Sequence, residues 1–189
     1  RSTLFPYTTL FRSRTGGVAA RYPAVDAKTG KLLNLEGRIN NCRKENQKAD
    51  AYPYESEELL GITAYVARQS LGQPVHVDVS GPAAPFYEAG KEFFYQSQGQ
   101  LNLSCAHCHE KKAGRSLRGD TISYGLGNGF PAYRLEWQSL GSLHRRLRAC
   151  SLGVRAIQFD YGSPEYVNLE LFLAARAEGV AIETPAIRK

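Results

Sequence analysis

The chain has 189 residues, a mass of 20.9 kDa and 42% hydrophobic residues, which suits one large folded domain or two small ones. Its formal net charge of +6 favours anionic partners. However, Lys and Arg are scattered and no nucleic-acid motif occurs, so we expect no nucleic acid among the partners. No apolar run approaches the roughly 18 residues of a transmembrane helix, so we also expect no membrane span.

The first thirteen residues, RSTLFPYTTLFRS, differ in character from the rest. Residues 3–13 match one reading frame of a common short-read sequencing adapter, which indicates a gene-assembly artefact; the alternative is a short apolar strand or loop. The sequence also begins with Arg1 and contains no methionine. We therefore predict that residues 1–13 are non-native and that the sequence is a fragment without its signal peptide.

The region before the first clear helix is predicted to be rich in loops. Residues 14–42 are interrupted by a Gly-Gly pair, a Tyr-Pro pair and a Lys-Thr-Gly turn. The next segment, YESEELLGITAYVARQSLGQP, predicts a helix with Ser56 as N-cap and an end at Gly72 and Pro74. Its inward face is predicted to carry Leu59, Ile62, Val66 and also Leu60. SGPAAP, residues 80–85, predicts a linker.

Two further helices follow. FYEAGKEFFYQSQGQ predicts a helix that packs closely against another element, through Phe86, Gly90, Phe93 and Phe94. The C-terminal helix is predicted within YGSPEYVNLELFLAARAEG, with Ser163 as N-cap, Pro164 at its first position and Gly179 at its end. Its inward face is predicted to carry Leu169, Phe172 and Leu173.

The two serine-capped helices belong to an internal repeat. Cys42 precedes Tyr54 by 12 residues and Cys150 precedes Tyr161 by 11. The helices themselves match at Tyr54, Ser56, Glu58, Ile62, Tyr65, Val66 and Ala67 against Tyr161, Ser163, Glu165, Leu169, Phe172, Leu173 and Ala174. Capped amphipathic helices share a pattern and can match by chance, but the paired cysteines argue against this. We therefore predict two related helical units.

The motif with the clearest chemistry is CAHCH, residues 105–109. Zinc would need a second CxxC or HxxxH pair, and none follows the motif; a redox dithiol is expected near a βαβ pattern, which is absent here. The CxxCH spacing instead suits covalent haem c, with Cys105 and Cys108 as thioether anchors and His109 as an axial iron ligand. We expect His107 to be an exposed filler within the motif.

The ligand on the opposite face of the haem is the open question. Most electron-carrying cytochromes c use methionine, which this chain lacks. The residues leave His76, His144, a lysine, a cysteine or no ligand. His76 is predicted to be a surface or strand residue. Both His144 and Cys150 lie downstream of the motif, but only Cys150 recurs in the repeat, as Cys42. This points to Cys150 as the second metal ligand beside His109.

A basic run, HRRLRACSLGVR, surrounds Cys150. Guanidinium groups lower the pKa of a thiol and bind tetrahedral oxyanions through paired hydrogen bonds. A solvated basic helix face is the alternative interpretation. Beside an iron–thiolate, the run predicts a site for a small sulfur oxyanion. A thiolate ligand also lowers the reduction potential of a haem, which argues against a general-purpose electron carrier.

Together these motifs resemble the SoxA family of SoxAX cytochromes, from the bacterial thiosulfate-oxidising Sox system. The similarity runs from about residue 14 to 189 and is carried by GVAARYP, EGRINNCR, YESEELLGITAYVARQS, SCAHCH, GFPAYRLEWQSLGSLHRRLRAC and YGSPEYVNLELFLAARAEGVAIETPAIR. The resemblance implies a mostly α fold with two tandem cytochrome c-like domains. Residues 14–80 form a truncated first domain without its haem motif, and residues 81–189 form the domain that carries one haem c and the active site.

The same resemblance implies a periplasmic, haem-dependent L-cysteine S-thiosulfotransferase, which joins thiosulfate oxidatively to a cysteine of a SoxYZ-type carrier protein. The active haem is expected between His109 and Cys150, which is often a persulfide in the family. Cys150, Arg146 and Arg176 are the expected catalytic residues, and a SoxX-type cytochrome c subunit completes the site. The alternative is an electron-transfer cytochrome c with His/Cys ligation and no transferase activity.

The resemblance also bears on Cys42. Some family members carry a first haem and others a disulfide in its place, and in both the equivalent of Cys42 is engaged with an upstream motif. That motif is absent here, so we expect Cys42 to be unpaired. The intact protein could carry one haem or two.

Overall fold

The computed structural model describes residues 16–117 and 119–189. The predicted non-native segment, residues 1–13, lies outside them. The described chain contains six α-helices: α1 (Leu35–Cys42), α2 (Glu57–Arg68), α3 (Ala84–Tyr95), α4 (Cys105–His109), α5 (Leu143–Gly153) and α6 (Pro164–Arg176). A π-helical turn, Arg43–Gln47, extends α1, and 3-10 turns occupy Ala19–Arg21 and Gly81–Ala83. None of the helices in these two ranges is long and apolar enough to cross a bilayer.

The strands are short and form three small sheets. β1 (Ala24–Val25) pairs antiparallel with β2 (Leu32–Leu33), and β3 (Ser116–Leu117) pairs antiparallel with β4 (Asp120–Thr121). In the third sheet β5 (Ala132–Arg134) is central: β6 (Ser139–Gly141) runs antiparallel to it and β7 (Ala186–Arg188) parallel, with Tyr133 opposite Leu140 and Ile187. The fold is mainly helical, as predicted, with this minor sheet content added.

The core is built around the crossing of α3 and α6. A Cβ atom at Gly90 would lie 2.0 Å from the carbonyl oxygen of Asn168, so only glycine allows the two backbones to approach this closely. Next to the crossing, the rings of Phe94 and Phe172 are buried with centroids 5.1 Å apart. The buried face of α6 consists of Tyr166, Val167, Leu169, Leu171, Phe172 and Leu173. The predicted close packing at Gly90 and the predicted inward face of α6 are therefore confirmed.

The predicted helix starts are confirmed, but two details of α2 are wrong. Ser56 Oγ accepts the N–H of Leu59, and Ser163 Oγ accepts the N–H of Tyr166. However, α2 ends at Arg68, and residues 69–72 form turns instead of a last helical turn. The buried face of α2 consists of Leu59, Leu60, Thr63 and Ala67, so Ile62 and Val66 are only half-buried. The small Thr63 and Ala67 side chains line the same cavity as Ala19.

Two segments are more regular than predicted. The expected linker at residues 80–85 is wrong, because the 3-10 turn Gly81–Ala83 leads directly into α3, where Pro85 occupies the first turn and its fixed φ suits a helix start. The region predicted to be loop-rich contains α1. Asn34 caps this helix by accepting the N–H of Gly37.

The two predicted units show the same order of helices. Asn34 caps α1 and Ser142 caps α5, and in both helices a cysteine, Cys42 or Cys150, lies eight residues after the cap. Each cysteine helix is followed by a serine-capped helix, α2 or α6. The two cysteine helices therefore share their cap-to-cysteine spacing and the type of helix that follows, while the division into two units stays a prediction.

A buried polar cluster connects the two pairs. Asn34 Nδ2 donates to Glu170 Oε2 at 3.1 Å, and Tyr54 donates its hydroxyl hydrogen to Asn34 Oδ1 at 2.9 Å. The Gly162 N–H donates to His144 Nδ1 at 3.0 Å, so the ring proton lies on Nε2, which donates to Glu170 Oε2 at 3.1 Å. The rings of Tyr54 and His144 stack with centroids 5.8 Å apart. Both nitrogens of His144 are therefore engaged within the core.

Candidate functional site

The CxxCH motif forms the short helix α4, and its own residues stabilise the start of that helix. Ser104 is the N-cap, and its N–H and its hydroxyl lie 3.1 and 2.7 Å from His107 Nδ1. This arrangement satisfies a backbone donor that the first turn leaves free. His107 is half-buried, and its side chain accepts the backbone N–H of the N-cap Ser104. The expectation of an exposed filler is therefore wrong.

The fold brings three of the four cysteines together. Cys105 and Cys108 lie one turn apart on α4, and Cys150 approaches them from α5; all three are half-buried free thiols. Burial raises the pKa of Cys105 to about 12, and the nearby Cys150 adds to this increase. Cys42 lies elsewhere, as an exposed free thiol that accepts a hydrogen bond from Asn46 Nδ2 at 3.4 Å. The site therefore offers two thiols from one helix and a third from another.

The chain after β4 holds His109 in one orientation. His109 Nδ1 donates to the carbonyl oxygen of Ser123 at 2.8 Å, which leaves the lone pair on Nε2 for a metal. Gly125 has a φ of 72°, and a Cβ atom there would lie 2.8 Å from the His109 ring. Burial lowers the pKa of His109; the bond to Ser123 opposes this effect, and the charges of Arg146 and Arg176 add to it. The neutral imidazole, which is the metal-binding form, is therefore favoured.

Of the basic residues around Cys150, most are engaged away from the site. Arg145 stacks on Trp137, with its guanidinium 4.6 Å from the ring centroid, and pairs with Glu55 at 3.8 Å. Arg148 stacks on Tyr161 at 4.8 Å and donates to a backbone carbonyl. The Arg155 side chain donates to a glutamine oxygen at 3.5 Å. Each of these cations is therefore held by its own partner.

Arg146 differs from these neighbours. It lies one helical turn before Cys150 on α5, and its charge reaches His109. Within residues 16–117 and 119–189 its side chain makes no hydrogen bond, ion pair or stacking contact. Arg146 is therefore a cation beside the thiols that is available for a ligand.

Arg176, the other predicted catalytic arginine, is the last residue of α6. Its charge acts on both Cys105 and His109. Its guanidinium lies 4.4 Å from the centroid of the Phe94 ring, and Nη2 lies 3.6 Å from Glu110 Oε1. Nη1 is buried without a hydrogen-bond partner in the described part of the chain. The predicted site residues from α4, α5 and α6 thus meet in one region.

The two alternative histidine ligands lie apart from this region. His144 is 1% exposed and is held at both nitrogens by the polar cluster of the core. His76 is exposed, as predicted, and its Nδ1 lies 2.7 Å from Glu178 Oε1. Neither imidazole is free to face the motif, so of the histidine and cysteine candidates Cys150 is the one placed near α4.

The donor set fits a covalent haem c. Two unbonded thiols lie one turn apart, followed by an imidazole whose Nε2 has no hydrogen-bond partner among the described residues, and a third sulfur on α5 lies close enough to affect Cys105. The Gly125 backbone fits closely against the imidazole. Sequence reasoning missed the supporting residues Ser123, Gly125, Glu110 and Tyr95. Of these four residues, only Glu110 has a sequence signal that could have identified it, because it directly follows the CxxCH motif.

Comparisons with known proteins identify the family of the chain. The SoxA/TsdA cytochrome c domain family model matches residues 12–75 and 89–182. The L-cysteine S-thiosulfotransferase subunit SoxA of Pseudaminobacter salicylatoxidans is 41% identical over 173 residues, which cover 91% of this chain and 60% of the relative. The subunit of the same name from Chlorobaculum tepidum is 41% identical over 177 residues, covering 92% of this chain and 62% of the relative.

A solved structure of a SoxXA protein has a similar fold. The crystal structure of SoxXA from P. pantotrophus matches with a TM-score of 0.90 and 37% identity, over 94% of this chain and 67% of that chain. The present chain spans about 60% of the length of the curated relatives that it matches.

Proposed function

Because this chain belongs to the SoxA/TsdA cytochrome c domain family, we propose that the protein is a haem-dependent L-cysteine S-thiosulfotransferase of the SoxAX type. Its substrates are thiosulfate and a cysteine of a SoxYZ-type carrier protein, and a SoxX-type cytochrome c subunit is its partner. The names of the relatives and the fold of the matched SoxXA structure support this proposal. We place the protein in the periplasm, where c-type haem and reactive thiols of this kind occur together.

The proposed architecture is a tandem of two cytochrome c-like domains. The first comprises residues 14–80, and the second comprises residues 81–189. The support is the shared distance from helix cap to cysteine in α1 and α5, followed in each case by a serine-capped helix. The second pair is preceded by α3 and by the CxxCH helix α4, and the given sequence contains a single CxxCH motif. One haem c is therefore expected in this chain.

The observation that carries the proposal is the convergence of Cys105, Cys108 and Cys150 beside His109 and Arg146, whose side chain has no partner among the described residues. In the proposed site Cys105 and Cys108 would hold haem c by thioether bonds, and His109 and Cys150 would supply the donors to its iron. When bound, haem c supplies a one-electron acceptor at the reacting sulfur. Binding and orientation of the substrate and formation of the new sulfur–sulfur bond are assigned to side chains of this protein.

Arg146 and Arg176 bind the sulfonate oxygens of thiosulfate through charge-assisted hydrogen bonds. This orientation directs the outer sulfur atom of thiosulfate toward Cys150. The Cys150 thiolate forms a bond to that sulfur, which gives Cys150–S–S–SO3⁻ and releases two electrons. Haem c, when bound, would accept these electrons one at a time and pass them to an external electron acceptor. A persulfide form of Cys150 reacts in the same way through its terminal sulfur.

The second step is a thiol exchange and needs no further oxidant. The thiolate of the carrier cysteine attacks the sulfur atom next to the sulfonate group. The new bond gives carrier–S–S–SO3⁻, and the Cys150 thiolate leaves with the electron pair of the broken bond. Oxidation thus takes place in the first step, and the second step restores the enzyme.

Mass spectrometry of the carrier tests the proposal. The haem-loaded protein, with its cytochrome partner and an electron acceptor, is incubated with thiosulfate and the reduced carrier. We expect the carrier to gain the mass of one –S–SO3 group while the acceptor takes up two electrons. Electron transfer to the acceptor from another donor, with no change in carrier mass, would favour the alternative of an electron-transfer cytochrome c.

A further inference from the structure

We propose that Glu110 and Tyr95 position the Arg176 guanidinium so that one edge of it remains available for a small oxyanion. The inference rests on the proposed function, because it assigns a supporting pair to an arginine of that site. Neither side chain is placed in contact with a reacting atom. Both are therefore positioning residues that act through Arg176.

Three elements meet at this pair. Glu110 directly follows His109 at the end of α4, Tyr95 is the last residue of α3, and Arg176 is the last residue of α6. Glu110 Oε1 accepts the Tyr95 hydroxyl hydrogen at 2.9 Å and lies 3.6 Å from Arg176 Nη2. One carboxylate oxygen thus connects the ends of both core helices to the haem motif.

The Glu110 contact occupies only one edge of the guanidinium. Its flat face lies over Phe94, 4.4 Å from the ring centroid, and Phe94 is completely buried at the crossing of α3 and α6. A guanidinium held between a carboxylate and an aromatic ring loses little further freedom when it binds a ligand. Arg176 is thus oriented before any anion arrives.

The remaining edge lacks a partner. Arg176 Nη1 is buried and makes no hydrogen bond to any described residue. A buried N–H group without an acceptor costs free energy, and for a charged donor an oxyanion is the acceptor that compensates best. Because the Arg176 charge acts on Cys105 and His109, this free edge belongs to the surroundings of the haem motif.

Tyr95 supports Glu110 in this arrangement. Its hydroxyl donates to Glu110, and this hydrogen bond raises the pKa of the Tyr95 hydroxyl above its usual value. A carboxylate fixed by a phenol is less free to rotate toward solvent or to follow an incoming anion. We therefore expect the removal of Tyr95 to act in the same direction as the removal of Glu110, with a smaller effect.

Two oxyanions have the required chemistry: the sulfonate of thiosulfate and a carboxylate of the haem itself. The experiment uses the haem-loaded protein with its partner subunit and compares wild type with Glu110→Gln and Tyr95→Phe. The matched control is Glu88→Gln, since Glu88 pairs with Lys91 on the exposed surface of α3 at 3.5 Å. Thiosulfate affinity is measured by calorimetry, KM and kcat by turnover, and the reduction potential by spectroelectrochemistry.

We expect Glu110→Gln to weaken thiosulfate binding and raise KM about tenfold, since misplacement of a binding group by a fraction of an ångström has effects of that order. Tyr95→Phe should shift both values in the same direction by about threefold, and Glu88→Gln should leave them unchanged. A changed reduction potential with unchanged thiosulfate affinity would assign the oxyanion to the haem carboxylate and would still support the positioning role.

Unchanged affinity together with an unchanged potential in Glu110→Gln would overturn the proposal, as would tighter thiosulfate binding. The failure of the proposed function has a different signature. In that case the wild type would leave the carrier unmodified, while the effect of Glu110→Gln on thiosulfate affinity or on the potential would persist.

Discussion

The two cysteine helices, α1 and α5, share the spacing from N-cap to cysteine, but the environments of their cysteine side chains differ. Both place the cysteine eight residues after a polar N-cap. Cys42 ends α1 as an exposed thiol next to a π-helical turn. Cys150 is half-buried within α5, close to Cys105 of α4. The same local design thus gives a surface thiol in one unit and a candidate reactive sulfur in the other, and the difference lies in the CxxCH helix packed nearby.

The largest expected effect comes from replacing the cysteine of each of the two helices with serine. Cys150→Ser removes the proposed nucleophile and metal ligand, so the rate of carrier modification should fall by about three orders of magnitude or more. The matched variant Cys42→Ser changes an exposed thiol and should retain the wild-type rate. Equal activity of the two variants would contradict the assignment of Cys150.

The next largest effect concerns glycines that lie within helices of the two units. Gly90→Ala should lower the free energy of unfolding by about 3 kcal/mol, because the new methyl group meets backbone atoms that cannot move aside. Gly61→Ala on α2 meets nothing within 4 Å, and it should stabilise the protein by about 0.5 to 1 kcal/mol through helix propensity. Denaturant unfolding of the haem-loaded protein measures both, and a mild effect at Gly90 would mean that α3 and α6 are less closely packed.

A smaller effect concerns the buried acid of the first unit. Burial, together with the nearby Glu170, raises the pKa of Glu36 to about 7. Between about pH 4.3, where the unfolded carboxyl titrates, and pH 7, the folded state holds the extra proton. Stability should therefore fall as pH rises through this window and level off above it. Glu36→Gln should remove that slope and stabilise the protein at pH 8 by roughly 2 kcal/mol.

The control for this prediction is Glu92→Gln, which changes an exposed carboxylate on α3 of the second unit. Its stability profile between pH 4 and 8 should match that of the wild type. A slope in Glu36→Gln as steep as in the wild type would show that Glu36 is not the group that takes up the proton.

The smallest effect compares the two serine caps. Ser56 and Ser163 each accept a backbone N–H, at 3.2 and 3.4 Å. Replacing either one with alanine should cost about 1 kcal/mol of unfolding free energy, and Ser→Asn at the same position should cost far less. Similar losses of unfolding free energy in the two units would support the structural equivalence of α2 and α6. A loss confined to one unit would weaken it.

Sequence patterns predicted three of the four described helices that are longer than ten residues; α5, although capped by Ser142, was not predicted. α2, α3 and α6 were predicted from apolar spacing and serine or proline signals, and Gly90 was correctly expected at a close contact. α1 was missed because it is only eight residues long, and so short a helix depends on tertiary contacts for its stability. The small sheets were missed because strands of two or three residues show no readable alternation.

The candidate site was predictable in its donors and not in its surroundings. The CxxCH spacing and the repeat identified Cys105, Cys108, His109 and Cys150. The sequence HRRLRAC could not reveal that Arg145 stacks on Trp137 while Arg146 has no partner in the described part of the chain, since this depends on residues from other elements. Buried acids were missed for a related reason: a glutamate such as Glu36 has the same appearance in a sequence as one on the surface.

The most direct test of the central claim is the visible and near-infrared spectrum of the haem-loaded protein, recorded for wild type and for Cys150→Ser. The proposed site predicts a Soret band in both proteins, and a near-infrared band of histidine and sulfur ligation that is present in the wild type and absent from the variant. A colourless protein, or a ligation band that is the same in both, would contradict the assignment of Cys150 as the sulfur opposite His109.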